Sequence, residues 1–331
     1  MKKIMKLDRF VKAILITVLL AYLFPQLGRK DSGIPLDQIS DVGISLIFFF
    51  YGLKLSPEKV KTGLRNWKLH ILVQSAVFLL FPLLVIGFAQ IVNTDAQHNI
   101  WLGFLFLAAL PSTVSTSVVM VSLAKGNVPA AIFNASISGL IGIVVTPIWV
   151  GLFLDQNSAN FDLIGIYVKL FIEILLPLSI GLLLHRYFGK QANRFGTYLT
   201  LFDKSIILLI IYKSFVRSFE DSIFQSVGIQ DFLIIYAAIL GLFLVVYFSV
   251  GSIADYLGFD RKDKTTAQFC GTKKSLVHGT VFSKILFPSS ISTGIILLPL
   301  ILFHMTQIFI ISIIAGRLAR TAKEAVVIDE G

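Results

Sequence analysis

Ten apolar stretches of 18 to 29 residues follow one another along this chain, and no other feature limits its possible folds as strongly. They fall at about 10–28, 37–54, 67–92, 99–124, 127–154, 161–188, 200–218, 229–257, 265–286 and 288–316, with short polar breaks between them. A helix needs roughly 20 mainly apolar residues to cross the hydrocarbon core of a bilayer, so each stretch is long enough for a span. Of the 331 residues, 56% are hydrophobic and 15% charged, and the mean hydropathy is +0.83. That leaves too little polar sequence for a sizeable soluble domain. The expected fold class is an all-α polytopic membrane protein.

Charge gives an independent test of the span count. Short cytoplasmic loops are enriched in Lys and Arg. With the N-terminus inside, the cytoplasmic segments hold 19 of the 29 basic residues, among them Lys2, Lys3, Lys6, Arg9, Lys125, Arg186, Arg261 and Arg317. Five lie outside: Arg29, Lys30, Lys213, Arg217 and Lys284. An odd number of spans would destroy this alternation, so both termini are expected in the cytoplasm. The basic N-terminus before an apolar run imitates a signal peptide. No small-residue cleavage site follows it, and it reads as a retained first span. Short loops and the lack of targeting extensions point to a bacterial inner membrane.

The net charge of +10 is spread over loops, with no basic stripe and no nucleic-acid motif, so nucleic acid is not an expected partner. One cysteine, Cys270, excludes an intramolecular disulfide and a Cys-rich metal site. No nucleophile elbow, phosphate loop or His-Glu-x-x-His motif is present, so catalysis has no visible machinery and no cofactor is expected.

Two spans carry a polar interruption. In span 4, Pro111 is followed by Ser112-Thr113-Val114-Ser115-Thr116-Ser117 before apolar sequence resumes. In span 9, Cys270-Gly271-Thr272-Lys273-Lys274-Ser275 precedes Leu276, with Gly271 expected to supply flexibility. Broken backbone within a membrane is tolerated only where it is buried in protein or lines a watery cavity, because its freed N–H and C=O groups need partners. The breaks occupy the fourth position of each five-span half, which is the signature of two inverted repeats, residues 1–155 and 156–331. Substrate and ion sites tend to lie where such discontinuous helices meet.

Around these breaks stand the candidate site residues. A charged side chain inside a span costs about 2.5 to 3.5 kcal/mol on insertion scales. Lys273 and Lys274 are therefore expected to place at least one ammonium in a cavity, attracting an anion or occupying a cation position. The alternative is a span that starts at Leu276 and leaves both in a loop. Ser115, Thr116 and Ser117 offer the oxygen ligands of a hard cation, or ordinary interhelical packing. Asn134, Ser136 and Ser138 recur in span 5, with Asn134 and Ser138 on one face. Gln74 in span 3 is an amide needing a partner in lipid, and Thr272 and Ser275 flank the lysines. Lys169 and Glu173 in span 6 are spaced to neutralise each other. His304 reads as a satisfied core histidine.

Leu123-Ala124-Lys125-Gly126-Asn127, the following run to Thr146-Pro147, and Phe269-Cys270-Gly271-Thr272-Lys273-Lys274-Ser275-Leu276 together resemble the bile acid:sodium symporter superfamily. The closer match is its SBF-like branch, the sodium/bile acid cotransporter 7 family, over nearly the whole chain. The resemblance implies ten helices, with spans 1, 2, 6 and 7 as a panel, spans 3–5 and 8–10 as a core, and spans 4 and 9 crossed. In sodium-coupled members the cations are held by polar residues of helices 4 and 5, a glutamate and a glutamine on helix 9, and a glutamine on helix 3. By motif position Gln74 takes the place of the helix 3 glutamine. Thr116 and Ser117 match the helix 4 ligands approximately, with one residue inserted after Pro111. The candidate sodium set is thus Gln74, Thr116, Ser117 and Ser138. Cys270 stands at the glutamate position and Lys274 at the neighbouring glutamine position. Losing the one anionic ligand and gaining two ammonium groups weakens sodium binding, so sodium coupling and bile acid specificity do not carry over.

The expected function is secondary active transport of a small, anionic organic solute by alternating access, with the lipid bilayer as the other partner. The alternative is a membrane regulator or scaffold that keeps the fold without transport.

Overall fold

The computed structural model describes residues 9–29, 32–55, 66–89, 95–113, 115–154, 163–220, 228–287 and 291–329, and among these there is no β-strand. The α-helices are α1 (Arg9–Leu23), α2 (Leu36–Lys54), α3 (Trp67–Ser75, then Ala76–Leu80 and Phe81–Ile86), α4 (Asp95–Ala109), α5 (Ser115–Leu123) and α6 (Val128–Phe153). They continue with α7 (Leu163–Leu170, then Phe171–Leu175 and Leu176–Arg194), α8 (Gly196–Glu220), α9 (Ile229–Tyr256), α10 (Arg261–Gly271), α11 (Leu276–Leu286) and α12 (Thr293–Asp329).

Helix occupies each of the ten apolar segments. Among the described residues, six helices, namely α2, α3, α6, α7, α9 and α12, are long and apolar enough by themselves to cross a membrane. The others have visible reasons for falling short. α1 has 15 residues. α8 carries Asp203, Lys204, Lys213 and Arg217 along its length. α4, α5, α10 and α11 are the halves of the two segments with polar interruptions. The first break follows from Pro111, which has no N–H and whose ring opposes a continuing helix. The second follows Gly271, the last residue of α10, which has no positive φ. Thr272 comes next as the C-cap, its N–H and hydroxyl both bonded to the Gln268 carbonyl, at 3.2 and 2.6 Å.

Contacts divide the chain into two compact units. Unit 1 comprises Met1–Ser56, Asp155–Gly228 and Thr280–Leu297; unit 2 comprises Pro57–Leu154, Ile229–Gly279 and Leu298–Gly331. In unit 1, α2 and α7 meet backbone to backbone. A Cβ on Gly52 would lie 2.2 Å from the Leu178 carbonyl, and one on Gly181 would lie 2.1 Å from the Phe49 carbonyl. Small residues allow this approach between membrane helices. Lys213 pairs with Asp37, Lys284 pairs with Asp41, and the Ser218 and Ser292 hydroxyls meet at 2.7 Å, which joins residues 280–297 to α2 and α8. Lys169 and Glu173 form their i, i+4 pair at 3.8 Å.

Unit 2 packs around Phe81, Phe106, Phe243, Phe269 and Phe303, all fully buried, with the Phe81 and Phe303 rings edge to face at 5.9 Å. One end is polar. Asn127 caps α6 by accepting from Ala130 N–H at 3.1 Å, and Asp260 caps α10 by accepting from Asp263 N–H at 2.7 Å. Asp263 accepts from Asn66 and, at 2.7 Å, from Asn127. Unit 2 contains both breaks.

Candidate functional site

A helix that ends inside a membrane must find partners for its last carbonyls. At the C-terminus of α4 they can be followed one by one. Leu107 O accepts from Leu110 N–H at 3.3 Å. Ala108 O accepts from the Lys274 ammonium at 2.6 Å, and Ala109 O accepts from the Thr146 hydroxyl at 2.8 Å. Leu110 O accepts from Lys274 Nζ at 2.9 Å, and Pro111 O accepts from Ser275 N–H at 2.8 Å. In return, the Ser112 hydroxyl donates to Cys270 O at 2.7 Å, across 158 positions of sequence, while Ser112 N–H donates to the Ser138 hydroxyl at 2.9 Å. The two interruptions therefore satisfy each other.

Lys274 sits at the centre of this exchange with no exposed surface. Its third acceptor comes from α3, where residues 76–80 form a π-helical stretch. Phe81 N–H, which α geometry would direct at Val77 O, bonds Ala76 O instead. Val77 O is released and accepts from Lys274 Nζ at 2.7 Å. The same stretch presents the Phe81 ring 4.2 Å from the ammonium, an attractive cation–π contact. The positive charge also faces the negative end of the α4 dipole. Gln307 of α12 brackets the peptide of this residue: its Oε1 accepts from Lys274 N–H at 2.9 Å and its Nε2 donates to Lys274 O at 2.9 Å. The same Nε2 lies 3.0 Å from His304 Nδ1.

Lys273 is equally buried but less enclosed by acceptors. Its Nζ donates to Thr116 O at 2.9 Å. Three hydroxyls stand beside that carbonyl: Thr113 Oγ1 lies 2.7 Å from Thr116 Oγ1 and 2.9 Å from Ser117 Oγ. The backbone of Ser115 opens α5, and its side chain lies outside the described residues. Ser275 Oγ caps α11, with His278 N–H at 3.3 Å and His278 Nδ1 at 2.9 Å. Both lysines thus lie in the break before Leu276, where the loop alternative puts them, yet neither side chain is exposed.

A second polar contact joins α3 to α6. Gln74 Nε2 donates to Asn134 O at 3.2 Å and Asn134 Oδ1 at 3.1 Å, and Gln74 Oε1 is buried with no hydrogen-bond partner. Asn134 Nδ2 donates to Ala130 O at 3.0 Å, and the Ser136 hydroxyl donates to Ile132 O at 2.8 Å. The residues of the expected sodium set are therefore distributed over three separate contacts: Gln74 with Asn134, Ser138 with Ser112, and Thr116 and Ser117 with Thr113. No described contact joins them into one cage. Lys273 Nζ holds the Thr116 carbonyl, and the sequence places no acidic residue in α3, α5, α6 or α11. This donor set does not fit a sodium ion. No cluster of three or more His, Cys, Asp or Glu suited to a metal occurs among the described residues.

Three participants do not stand out in the sequence. Gln307 carries a usable signal, an amide within an apolar run, as Gln74 does. Ser112 lies inside the interruption but before the hydroxyl run of residues 115–117. Val77 carries none, because an apolar side chain gives no sign of a carbonyl freed by a π turn.

The profile of the SBF-like CPA transporter family matches residues 8–320. An uncharacterized protein of Pseudomonas aeruginosa is 35% identical, covering 96% of this chain and 95% of its own length. The putative symporter YfeH of Escherichia coli is 34% identical over 98% of this chain and 96% of its own. Sodium/bile acid cotransporter 7 of Xenopus tropicalis is 30% identical over 92% and 90%. The family, and the Escherichia coli and Xenopus relatives by their names, are transporters, not enzymes.

Proposed function

The chain belongs to the SBF-like CPA transporter family, and on that premise we propose that it moves a small organic anion across a membrane by alternating access. It is an integral, multi-pass membrane protein. The proposed architecture is ten spans in two inverted repeats, residues 1–155 and 156–331, with both termini in the cytoplasm and a bacterial inner membrane as the host. Spans 1, 2, 6 and 7 form the panel, and spans 3–5 and 8–10 form the core. Support for this division comes from the grouping of α1, α2, α7 and α8 in one compact unit and of α3 to α6 and α9 in the other; residues 280–297 depart from it by joining the first.

The observation that carries the anion reading is the pair of buried lysines where the two helix breaks bond each other, in a region without a carboxylate. Lys274 is compensated by three carbonyls and an aromatic face, whereas Lys273 has one carbonyl among the described residues. Desolvated positive charge with so little compensation favours an anionic ligand. The ammonium of Lys274 performs at the crossing the neutralising role that a bound cation would otherwise have, so the transport cycle needs no sodium step.

The test is uptake of radiolabelled anion into proteoliposomes of the full chain, with acetate, pyruvate, glutamate and taurocholate. Taurocholate enters because relatives are named for bile acid. Saturable uptake of at least one anion, lost in Lys273→Gln, supports the reading. Uptake of none of them, by protein that melts cooperatively, favours the regulator or scaffold.

A further inference from the structure

Resting on that reading, we propose that the two lysines have different jobs: Lys274 is a fixed structural ammonium, and Lys273 is the proton-carrying group that couples anion movement to proton movement. The assignment comes from counting donors. Lys274 Nζ has three carbonyl acceptors at 2.6, 2.7 and 2.9 Å. An ammonium supplies three N–H bonds, but a neutral amine supplies two and a lone pair, which would face a carbonyl lone pair in this cage. Lys274 therefore keeps its proton as long as the breaks stay together.

Lys273 is under no such constraint. Its one described acceptor, Thr116 O, is served equally by an amine or an ammonium. The neighbouring hydroxyls of Thr113, Thr116 and Ser117 accept from N–H or donate to a lone pair by rotation. As an ammonium it is desolvated with one hydrogen bond and no carboxylate, a costly state unless an anion is present. Anion binding therefore favours proton uptake, R–NH2 plus H+ giving R–NH3+, and proton uptake favours the anion by the same factor, because linkage is reciprocal. Proton and anion then travel together.

The other titratable groups on the surrounding elements include Lys274 and Cys270 beside it, Arg261, Lys262, Asp263 and Lys264 at the start of α10, Lys68 and His70 on α3, Asp231, Tyr236, Tyr247, Asp255 and Tyr256 on α9, His278 and Lys284 on α11, and His304, Arg317 and Arg320 on α12. α5 and α6 carry none.

The experiment uses the full-length protein in detergent with 15Nζ-labelled lysine, followed by NMR from pH 5 to 10. The signal missing from Lys273→Arg is expected to move between ammonium and amine positions, and the signal missing from Lys274→Arg is expected to stay at the ammonium position. A Lys273 signal that never leaves the ammonium position, or a Lys274 signal that titrates, overturns the assignment. Because one proton accompanies one monovalent anion, the coupled step moves no net charge and is read as uptake of radiolabelled anion. In proteoliposomes with the same four anions, an inward proton gradient is expected to enhance that uptake, and Lys273→Arg to reduce the enhancement about tenfold. Anion uptake indifferent to the gradient overturns the coupling while leaving transport intact. No uptake of any anion defeats the transport reading instead, and the lysine signals still decide the assignment.

Discussion

The Lys274 ammonium lies 2.7 Å from the carbonyl oxygen of Val77, an acceptor that exists because the following turn of α3 is a π turn. One helix irregularity thus supplies a ligand to a charge held at the meeting of two others. π turns recur at functional positions in helices. Here the turn adds a carbonyl and a ring face to the two carbonyls at the end of α4, and so completes the enclosure of the ammonium.

Removing the charge should be severe. Lys274→Met leaves Val77, Ala108 and Leu110 carbonyls without their donor and should destabilise the protein by about 3 kcal/mol or more, since each buried acceptor left unpaired costs about 1 to 3 kcal/mol. Thermal melting in detergent measures it. Lys274→Arg, which keeps the charge on a planar group, should lie between Met and wild type.

Gln307→Leu removes both bonds to the Lys274 peptide and should cost about 2 kcal/mol, since each buried peptide group left unpaired costs about 1 to 3 kcal/mol. An unchanged melting temperature would show that the bracket is dispensable.

Ser112 and Ser138 should behave as a coupled pair. Ser112→Ala loses the donor to Cys270 O, Ser138→Ala loses the acceptor for Ser112 N–H, and both act on one residue of the break. A double-mutant cycle in chemical denaturation should give a coupling of about 0.5 kcal/mol or more. Additive effects would mean that the break tolerates each loss independently.

One substitution should stabilise. Lys125 follows α5 with φ +60, while Gly126 N–H bonds Val121 O at 2.9 Å and Lys125 N–H bonds Ser122 O at 3.1 Å, the pattern of a helix ending that favours glycine. Lys125→Gly should raise stability by up to about 1 kcal/mol, because a side chain in the left-handed region is strained by about 1 to 2 kcal/mol. Gly126→Ala should do the opposite, as its Cβ would lie 2.8 Å from Val121 Cγ1 and 2.9 Å from Thr266 Oγ1.

Much of this architecture is legible in the sequence because it follows from local rules. Hydropathy locates the helices, and Pro111 and the polar run after Cys270 locate the breaks. Pairing is less legible. Family position groups Gln74 and Ser138 with Thr116 and Ser117, whereas Gln74 pairs with Asn134 on α6, Ser138 with Ser112 in the break, and Thr116 and Ser117 with nearby Thr113. A charge in an apolar span suggests water, which is why the sequence alone points at least one of Lys273 and Lys274 into a cavity. The actual enclosure of Lys274 by freed carbonyls depends on the end of α4, which Pro111 marks, and on a π turn of α3 that the apolar Val77 side chain does not announce. The flexibility of Gly271 suggests the second break, and Gly271 is the last residue of α10.

The most direct test of the central claim, that Lys274 supplies the cation at this crossing, is the thermal stability of purified, detergent-solubilised wild type titrated with sodium against matched potassium and choline. Ligands that bind only the folded state raise stability by mass action. With the ammonium already in place, the three salts should give superimposable curves. A saturable, sodium-specific rise in melting temperature would contradict that claim and return sodium to the site.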